Sequence, residues 1–231
     1  MAIDLNALRA KHAELSKSTQ GGGGGSSHYL QIKEGTTLVR ILPAKDDETE
    51  FYAETKLHRI VGSDGMAKNF HCRKMHGEAC PLCDTYFGLW KTDKDSDKDL
   101  ARQIKPRARY YMNILDRDSG EVKILSVGVI LFKKIVAAML DEDFGDITDL
   151  QDGFDFKIIK TMEGQWPKYD QSQPRPKSEP TGTQAEIAAY MDSLHMVHEL
   201  VKLEDYDEVK TAAMNVVAEN SDGNLLDRLQ N

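Results

Sequence analysis

The sequence lacks any long hydrophobic run, and no stretch approaches the roughly 18 consecutive apolar residues that a membrane-spanning helix needs. Its N-terminus carries no apolar signal segment, so we expect a cytoplasmic protein. Cysteine is scarce, with only Cys72, Cys80 and Cys83. An odd, clustered set in that compartment argues against a disulfide framework and favours a metal site or redox chemistry. A glycine-rich phosphate loop and a credible catalytic triad are also lacking, so the sequence predicts that the protein is not an enzyme.

Acidic residues outnumber basic ones by 38 to 30, and the net charge of −8 by itself disfavours a nucleic-acid partner. Most of the excess lies in one region, because residues 183–231 contain ten acids and three bases and so carry −7. The remaining residues carry −1 and include a basic cluster at Lys105, Arg107 and Arg109. Since the distribution of charge matters more than its sum, this composition is compatible with a local surface that binds anions.

Composition divides the chain into an arm, a linker, a mostly-β core and a helical end. Leucines at helical spacing mark the arm, and five glycines followed by two serines make the linker flexible. In the core, apolar runs at 110–115 and 122–129 flank turn-forming residues and predict a β-hairpin. Thr183 and Glu186 have the spacing of a capping box that opens a helix. The predicted units are the arm (1–20), the linker (21–28), the core (29–182), a helical hairpin (183–220) and a short tail (221–231).

The cysteines predict a zinc site. Residues 80–83 read Cys-Pro-Leu-Cys, a knuckle in which two thiolates bind one ion from a single tight turn. Cys72 lies a short loop upstream and can supply a third sulfur, and the fourth ligand should be a histidine. His71 adjoins Cys72, which makes simultaneous ligation awkward, whereas His58 and His76 are both feasible and spacing does not separate them. A set of three cysteines and one histidine leaves no open position for water, so the predicted zinc is structural.

Two other functions fit parts of the same pattern. A Cys-Pro-x-Cys segment at the start of a helix also suggests a thiol oxidoreductase, because a helix N-terminus lowers the pKa of a thiol. That hypothesis predicts an apolar strand directly before Cys80, but the sequence there is a charged loop, and Cys72 would have no role. The second alternative is a zinc-dependent protein-interaction module that does not bind nucleic acid.

A basic segment runs directly into two aromatic residues, as binding of a single nucleic-acid strand requires. Such binding needs cations that follow the backbone and flat side chains on which bases stack. In an extended strand, Arg107, Arg109 and Tyr111 share one face, and Tyr110 lies on the other. Lys105 precedes the strand and adds a further positive charge.

A second aromatic and basic cluster contains Trp166, Lys168 and Tyr169 in a loop broken by prolines. A tryptophan in so polar a segment is unlike a core residue, and it favours a base-stacking role. Arg40 interrupts an apolar strand and places another cation on a sheet face. These residues extend the predicted nucleic-acid surface beyond the basic segment.

The chain resembles the gene-32-type, zinc-containing single-stranded DNA-binding proteins of T-even phages over about residues 36–220. The zinc ligands and the Trp166/Tyr169 loop are the most specific parts of the likeness. The segments that carry it, in the same order, are Val39–Pro43 followed by an acidic loop, His58, Cys72, the knuckle at 80–83, the basic segment ending in Tyr110–Leu115, Gly128 leading into Lys133–Ile135, Trp166–Asp170 and the helical pair from Thr183.

The resemblance implies an α+β fold with a five-stranded OB-fold β-barrel, a zinc-binding subdomain at about 54–92 and a C-terminal helical hairpin. It places the histidine ligand on His58, so that the implied zinc ligands are His58, Cys72, Cys80 and Cys83. It also implies a DNA groove that uses Arg40, Tyr110, Tyr111, Trp166 and Tyr169. The alternation of the strand favours Tyr111 over Tyr110, whereas the resemblance admits both.

The resemblance further implies that the protein binds and protects single-stranded DNA without sequence preference. The processes it implies are phage DNA replication, recombination and repair in the cytoplasm of an infected bacterial cell. Besides single-stranded DNA, the implied partners are other copies of the chain along the strand and phage replication and recombination proteins. No membrane partner is implied.

Overall fold

The computed structural model describes residues 28–45, 49–62 and 65–220. The predicted arm (1–20), nearly all of the linker (21–28) and the tail (221–231) lie outside these residues. No helix in the described part of the chain is long and apolar enough to cross a membrane.

The described residues form one antiparallel, eight-stranded sheet that curls into a half-barrel. The strands are β1 (Gly35–Ile41), β2 (Tyr52–Val61), β3 (Ala67–His71), β4 (Arg107–Asp116), β5 (Glu121–Val127), β6 (Phe154–Glu163), β7 (Trp166–Lys168) and β8 (Gln173–Ser178). Their order is β3-β2-β4-β1-β6-β7, with β5 paired to β4 and β8 paired to β6. The predicted mixture of helices and strands is therefore confirmed.

The strand count differs from the five strands expected of an OB-fold barrel, and the barrel itself stays a prediction. Part of the difference arises because β2 is ten residues long, which lets it pair with two different strands. Its residues 52–57 pair with β4, and its residues 57–61 pair with β3 on the other edge. The segment after Trp166 also pairs, first as β7 and then as β8, with β6.

The predicted β-hairpin is confirmed as β4 and β5, which pair from Tyr110 and Val127 down to Asp116 and Glu121. The carboxylate of Asp116 accepts hydrogen bonds from the Asp118 amide and the Ser119 hydroxyl, so it fixes the turn. Gly120 has a φ of 71°, a conformation that favours glycine. Local turn chemistry is therefore enough to set this register.

Five α-helices and two 3-10 turns accompany the sheet in the described residues. The helices are α1 (Pro81–Trp90), α2 (Asp95–Ile104), α3 (Val129–Met139), α4 (Gln184–Asp192) and α5 (Tyr206–Asn220), and the 3-10 turns are Arg73–His76 and Val197–Leu200. The capping box predicted for α4 is present, since Thr183 Oγ1 accepts from the Glu186 amide and the Glu186 carboxylate accepts from the Thr183 amide.

Two apolar clusters make up most of the core. The first, here called the sheet core, lies between the strands and α3 and includes Met112, Phe132, Ile135, Phe156 and Ile158. The second, here called the cysteine core, combines the three cysteines with buried residues of β2, β3, α1, α2 and α5. The chain thus buries its cysteines in a small subdomain beside the main sheet.

Both helices of the predicted C-terminal helical hairpin are present, as α4 and α5, but they contribute to different apolar clusters, and the hairpin itself stays a prediction. Tyr190 of α4 packs with Leu42 and Leu115 of the sheet, whereas Val209 of α5 lies in the cysteine core. Helix α4 ends at Asp192, and residues 194–196 have no regular structure. Asn113, which is 1% exposed, hydrogen-bonds both the amide and the carbonyl of His195 and so fixes this connecting segment to β4.

Candidate metal centre and nucleic-acid surface

Four residues from separate elements meet in the cysteine core: His58 of β2, Cys72 after β3, Cys80 at the start of α1, and Cys83 within it. All four are buried, and their ligand atoms lie within 4.8 Å of one another. Pairing of β2 with β3 places His58 opposite Phe70, two residues before Cys72. The structure therefore brings together the four residues that the resemblance implied as a ligand set, and the cluster could hold a metal ion.

The spacing of the four ligand atoms suits a tetrahedral ion. Cys72 Sγ lies 3.4 Å from Cys83 Sγ, and His58 Nε2 lies 3.6 and 3.5 Å from the Sγ atoms of Cys80 and Cys83. Zn–S bonds of about 2.3 Å and Zn–N bonds of about 2.0 Å in a tetrahedron put the ligand atoms about 3.5 to 3.8 Å apart. The donor set and its geometry both fit zinc.

The protonation of His58 is fixed by a neighbour outside the cluster. Its Nδ1 lies 2.7 Å from the Ile104 carbonyl oxygen. A carbonyl oxygen only accepts, so Nδ1 carries the proton and donates, which leaves Nε2 as the metal-facing nitrogen. Metal-ligating histidines commonly have such a partner, and here it comes from the end of α2.

The four side chains of the cluster also shift one another's pKa values. Burial opposes protonation of His58, but hydrogen bonds with Cys72 and Cys80 outweigh it and raise the pKa of His58 to about 9. Hydrogen bonds from Cys72 and Cys83 lower the pKa of the Cys80 thiol, whereas contacts with Cys72 and Cys80 raise the pKa of Cys83. One thiolate is favoured here, and further thiolates would repel it. A divalent cation held by the cluster would offset this repulsion and allow the coordinating thiols to be deprotonated.

The other two histidines considered from the sequence lie elsewhere. His76 ends the exposed 3-10 turn and is not part of the cluster. His71 points its Nδ1 towards the Glu204 carboxylate, 3.4 Å away. The strand that the redox hypothesis requires before Cys80 is replaced by the 3-10 turn and a loop, which disfavours that hypothesis.

The two adjacent tyrosines of β4 lie on opposite faces of the sheet, as the alternation predicted. Tyr110 packs in the sheet core and stacks on Phe132, with ring centroids 3.7 Å apart and planes 6° apart. Tyr111 packs with Ala53 and Val197 on the other face. Both are buried, at 8% and 7% exposure, and Phe132 covers one face of the Tyr110 ring.

The basic residues at the start of β4 are more accessible. Lys105 and Arg107 are exposed, and Arg109 is half-buried. Burial raises the pKa of Tyr169, and the positive charge of Arg109 partly offsets that rise. Arg109 has the same partial effect on the pKa of Tyr111. The Arg109 guanidinium therefore lies within electrostatic reach of two predicted stacking residues.

The Trp166 loop forms a short ribbon in which β7 pairs with the end of β6. Trp166 pairs with Glu163 and is 69% exposed. Lys168 lies two residues further along the same face and forms an ion pair of 2.8 Å with Glu163. Tyr169 instead turns back against the sheet core. The two aromatic residues thus differ, since Trp166 offers an open ring and Tyr169 a half-buried one.

The assignment of Arg40 to the groove needs correction, because this side chain has no exposed surface. Its Nε donates to Asp155 at 3.0 Å, and its terminal nitrogens donate to the carbonyls of Asp149 and Glu179. A Cβ on Gly153 would lie 2.8 Å from Arg40 Nη1, so the chain is closely fitted around the guanidinium. Arg40 ties β1 to β6 and two loops, which disfavours a contact with DNA.

Sequence reasoning missed some neighbours of the tyrosines. Sequence reasoning assigned no role to Phe132, yet its ring stacks on Tyr110, and its centroid lies 4.7 Å from that of the Tyr52 ring. The Tyr110 hydroxyl donates to Glu54 at 3.2 Å, which brings an acid to the same face. The one sequence signal near Phe132 is the resemblance, whose Gly128 to Ile135 segment contains it. The contacts themselves could not be predicted, because the partners of Phe132 are distant in sequence.

Comparison with known proteins identifies a family for this chain. The chain matches the family described as gp32 DNA binding protein like over residues 33–217. It is 23% identical over 163 residues to a protein of Escherichia phage T5 described as "Probable ssDNA-binding protein". That match covers 67% of this chain but 58% of the T5 protein, so the chain spans less than two thirds of that relative's length. Since the family match extends over most of the sequence, this chain belongs to the gp32-like family of DNA-binding proteins.

Proposed function

We propose that this chain binds single-stranded DNA without sequence preference and protects it during phage DNA replication, recombination and repair. The exposure of Trp166 on the β6–β7 ribbon carries the proposal. Every base has a flat face, so stacking on an indole is tolerant of sequence, and an open ring is ready to accept it. Family membership supports the same function.

Arg109 connects this ribbon to the basic start of β4. Its charge acts on Tyr169, which supports placing Arg109 and the residues that follow the Trp166 ribbon close together. A strand stacked near Tyr169 would bring its phosphates towards Arg109. We therefore assign Tyr169 as a second stacking residue and Arg109 as a phosphate contact.

The remaining cations supply the electrostatic part of the proposed binding. Lys105 and Arg107 are exposed and form no ion pair with a described residue. Lys168 is paired with Glu163, but both side chains are largely exposed, and an exposed ion pair contributes little stability. A phosphate can replace Glu163 at small cost, so Lys168 remains available to the strand.

Tyr110 and Tyr111 contribute mainly by shaping this surface. Each is largely buried in its own cluster, so neither offers an open ring like that of Trp166. We assign them a supporting role, in which each holds one face of β4 in place beneath the residues that contact DNA. The barrel that would carry the groove is, in this proposal, an OB-fold.

The proposed metal is one structural zinc ion held by His58, Cys72, Cys80 and Cys83. When bound, it supplies folding free energy to a subdomain whose ligands come from three separate elements. Four protein ligands leave no open position for a water or substrate, which fits a protein that is not an enzyme. We further propose that the protein acts in the cytoplasm of the infected host, beside other copies of itself and phage replication proteins.

The test is a salt series of titrations with oligo-dT and with duplex DNA of the same length. Each phosphate neutralised on a single strand contributes about −0.7 to the slope of log K against log salt. Neutralisation by Lys105, Arg107, Arg109 and Lys168 would give a slope of about −2.8. Equal affinity for duplex, or a flat salt response, would refute the proposal. If the protein contains zinc but does not bind oligo-dT, the result would instead favour the hypothesis of a zinc-dependent protein-interaction module.

A further inference from the structure

We infer that His58 is a positioning residue for DNA binding: through its hydrogen bond to the Ile104 carbonyl, it ties the metal site to the basic segment 105–109. This inference rests on the proposed function and deepens it. It assigns to one ligand of the cluster a role that the other three ligands do not share.

The hydrogen bond lies where the chain passes from helix to strand. Ile104 is the last residue of α2, so its carbonyl has no partner within the helix. The His58 Nδ1–H fills that position at 2.7 Å, and both residues are almost fully buried, at 0% and 2% exposure. A donor at this end also suits the partial negative charge of a helix C-terminus.

The ladder between β2 and β4 stops at the same point. Its last pair is Leu57 and Arg107, so the next pair would place His58 opposite Pro106. Proline has no amide N–H and cannot continue the ladder. Beyond this point the side chain of His58 makes the contact between the two segments, by donating to the Ile104 carbonyl two residues before Pro106.

The segment that this hydrogen bond anchors carries the proposed phosphate-binding cations. Lys105 follows Ile104 directly, and Arg107 and Arg109 open β4. The described structure gives Lys105 and Arg107 no ion pair that would hold them in place. The backbone at Ile104 and the first pair of the ladder therefore set where these cations project. A metal ion bound at Nε2 would prevent the His58 ring from rotating, and would thereby also fix the hydrogen bond from Nδ1 to the Ile104 carbonyl.

The decisive variant is His58→Cys. It offers a fourth thiolate, and four cysteines also form a tetrahedral zinc set, but a thiolate cannot donate to the Ile104 carbonyl. We expect H58C to retain one zinc per chain, while the magnitude of its salt slope for oligo-dT falls by about 0.7 for each phosphate that is no longer neutralised. At about 0.1 M salt, one such phosphate weakens binding about 5-fold, and two weaken it about 25-fold. The matched control, His76→Cys, changes an exposed histidine of the same subdomain and should alter neither the zinc content nor the salt slope.

A second set of variants separates positioning from general damage. In the wild-type protein, Lys105→Gln with Arg107→Gln should reduce both the affinity and the salt slope. In the H58C background the same two changes should have little further effect, because His58 acts through these cations. Full additivity of the two effects would overturn the inference, as would H58C that keeps zinc and binds oligo-dT like the wild type.

Hydrogen exchange gives a measurement that does not depend on the folding of H58C. When the wild-type protein is treated with a chelator, the amides of Arg107–Arg109, which lie in the first pairs of the β2–β4 ladder, should lose protection before those of Glu121–Val127. Unchanged protection at Arg107–Arg109, or an equal loss throughout the chain, would overturn the inference. A wild-type protein that does not bind oligo-dT at all would refute the proposed function instead, so the two failures are distinguishable.

Discussion

Replacing Trp166 by alanine tests the proposed stacking surface most directly. The side chain is 69% exposed at the end of a short ribbon, so its removal leaves the core intact. Surface substitutions of this kind change the free energy of unfolding by about 0.5 kcal/mol or less, which moves the thermal midpoint by about 1 to 2 °C. Stacking of one base on an aromatic ring is worth about 1 to 3 kcal/mol. W166A should therefore weaken oligo-dT binding about 5- to 150-fold with almost no loss of stability.

The assay has to allow for a second tryptophan, Trp90, which is 46% exposed in the cysteine subdomain. Fluorescence anisotropy of a labelled oligo-dT measures the affinity of every variant without using intrinsic emission. Trp90→Phe then leaves Trp166 as the one remaining tryptophan, and its emission should be quenched by oligo-dT. Trp166→Phe should recover much of the affinity that W166A loses, because the ring face does the stacking.

Trp90→Ala is the matched control, since it removes a comparably exposed indole away from the proposed groove. We expect it to leave oligo-dT affinity unchanged. If W166A unfolds easily yet binds DNA normally while folded, Trp166 is a core residue and the reasoning is refuted. If W90A weakens binding as much as W166A does, the groove has been placed on the wrong part of the molecule.

Four further predictions concern the metal, the buried arginine, the C-terminal region and the response to acid. Cys80→Ser should lose the zinc measured by metal analysis and unfold at lower temperature, whereas His76→Ala should keep one zinc per chain. Arg40→Met should lower the free energy of unfolding in urea by about 3 to 5 kcal/mol, because a buried carboxylate and two carbonyls lose their donor, while oligo-dT affinity of the folded variant stays unchanged. Ending the chain after Asn220 removes two acids and one base, and should leave that affinity equal or slightly higher, because the removed segment has a net charge of −1 that repels phosphate. A large loss of affinity would contradict this expectation. Burial acts to raise the pKa of Asp116, but hydrogen bonds from a lysine and a serine outweigh it and hold that pKa below its usual value. The ionised carboxylate therefore stabilises the fold, and this stability is lost as the pH falls through the lowered pKa, so D116N should flatten the acid end of a plot of unfolding free energy against pH.

The sequence by itself determined the features that depend on neighbours along the chain. The Cys80–Cys83 knuckle, the turn after Asp116 and the capping box at Thr183 each involve residues within a few positions of one another. Their chemistry is therefore visible in the order of residues. The alternation that separates Tyr110 from Tyr111 is of the same kind, because the two faces of a strand follow from its period of two.

Only the tertiary structure decided the features that depend on distant partners. The spacing of the histidines did not separate His58 from His76 as the fourth ligand, and the pairing of β2 with β3 placed His58 among the cysteines. Arg40 fits an exposed cation on a sheet face until Asp155, 115 residues away, is brought beside it. The segment after α4 is fixed in the same way, because the side chain of Asn113, 82 residues away, hydrogen-bonds both the amide and the carbonyl of His195. Local propensities amount to a fraction of a kcal/mol per residue, so a single buried hydrogen bond made by the folded chain is enough to override them.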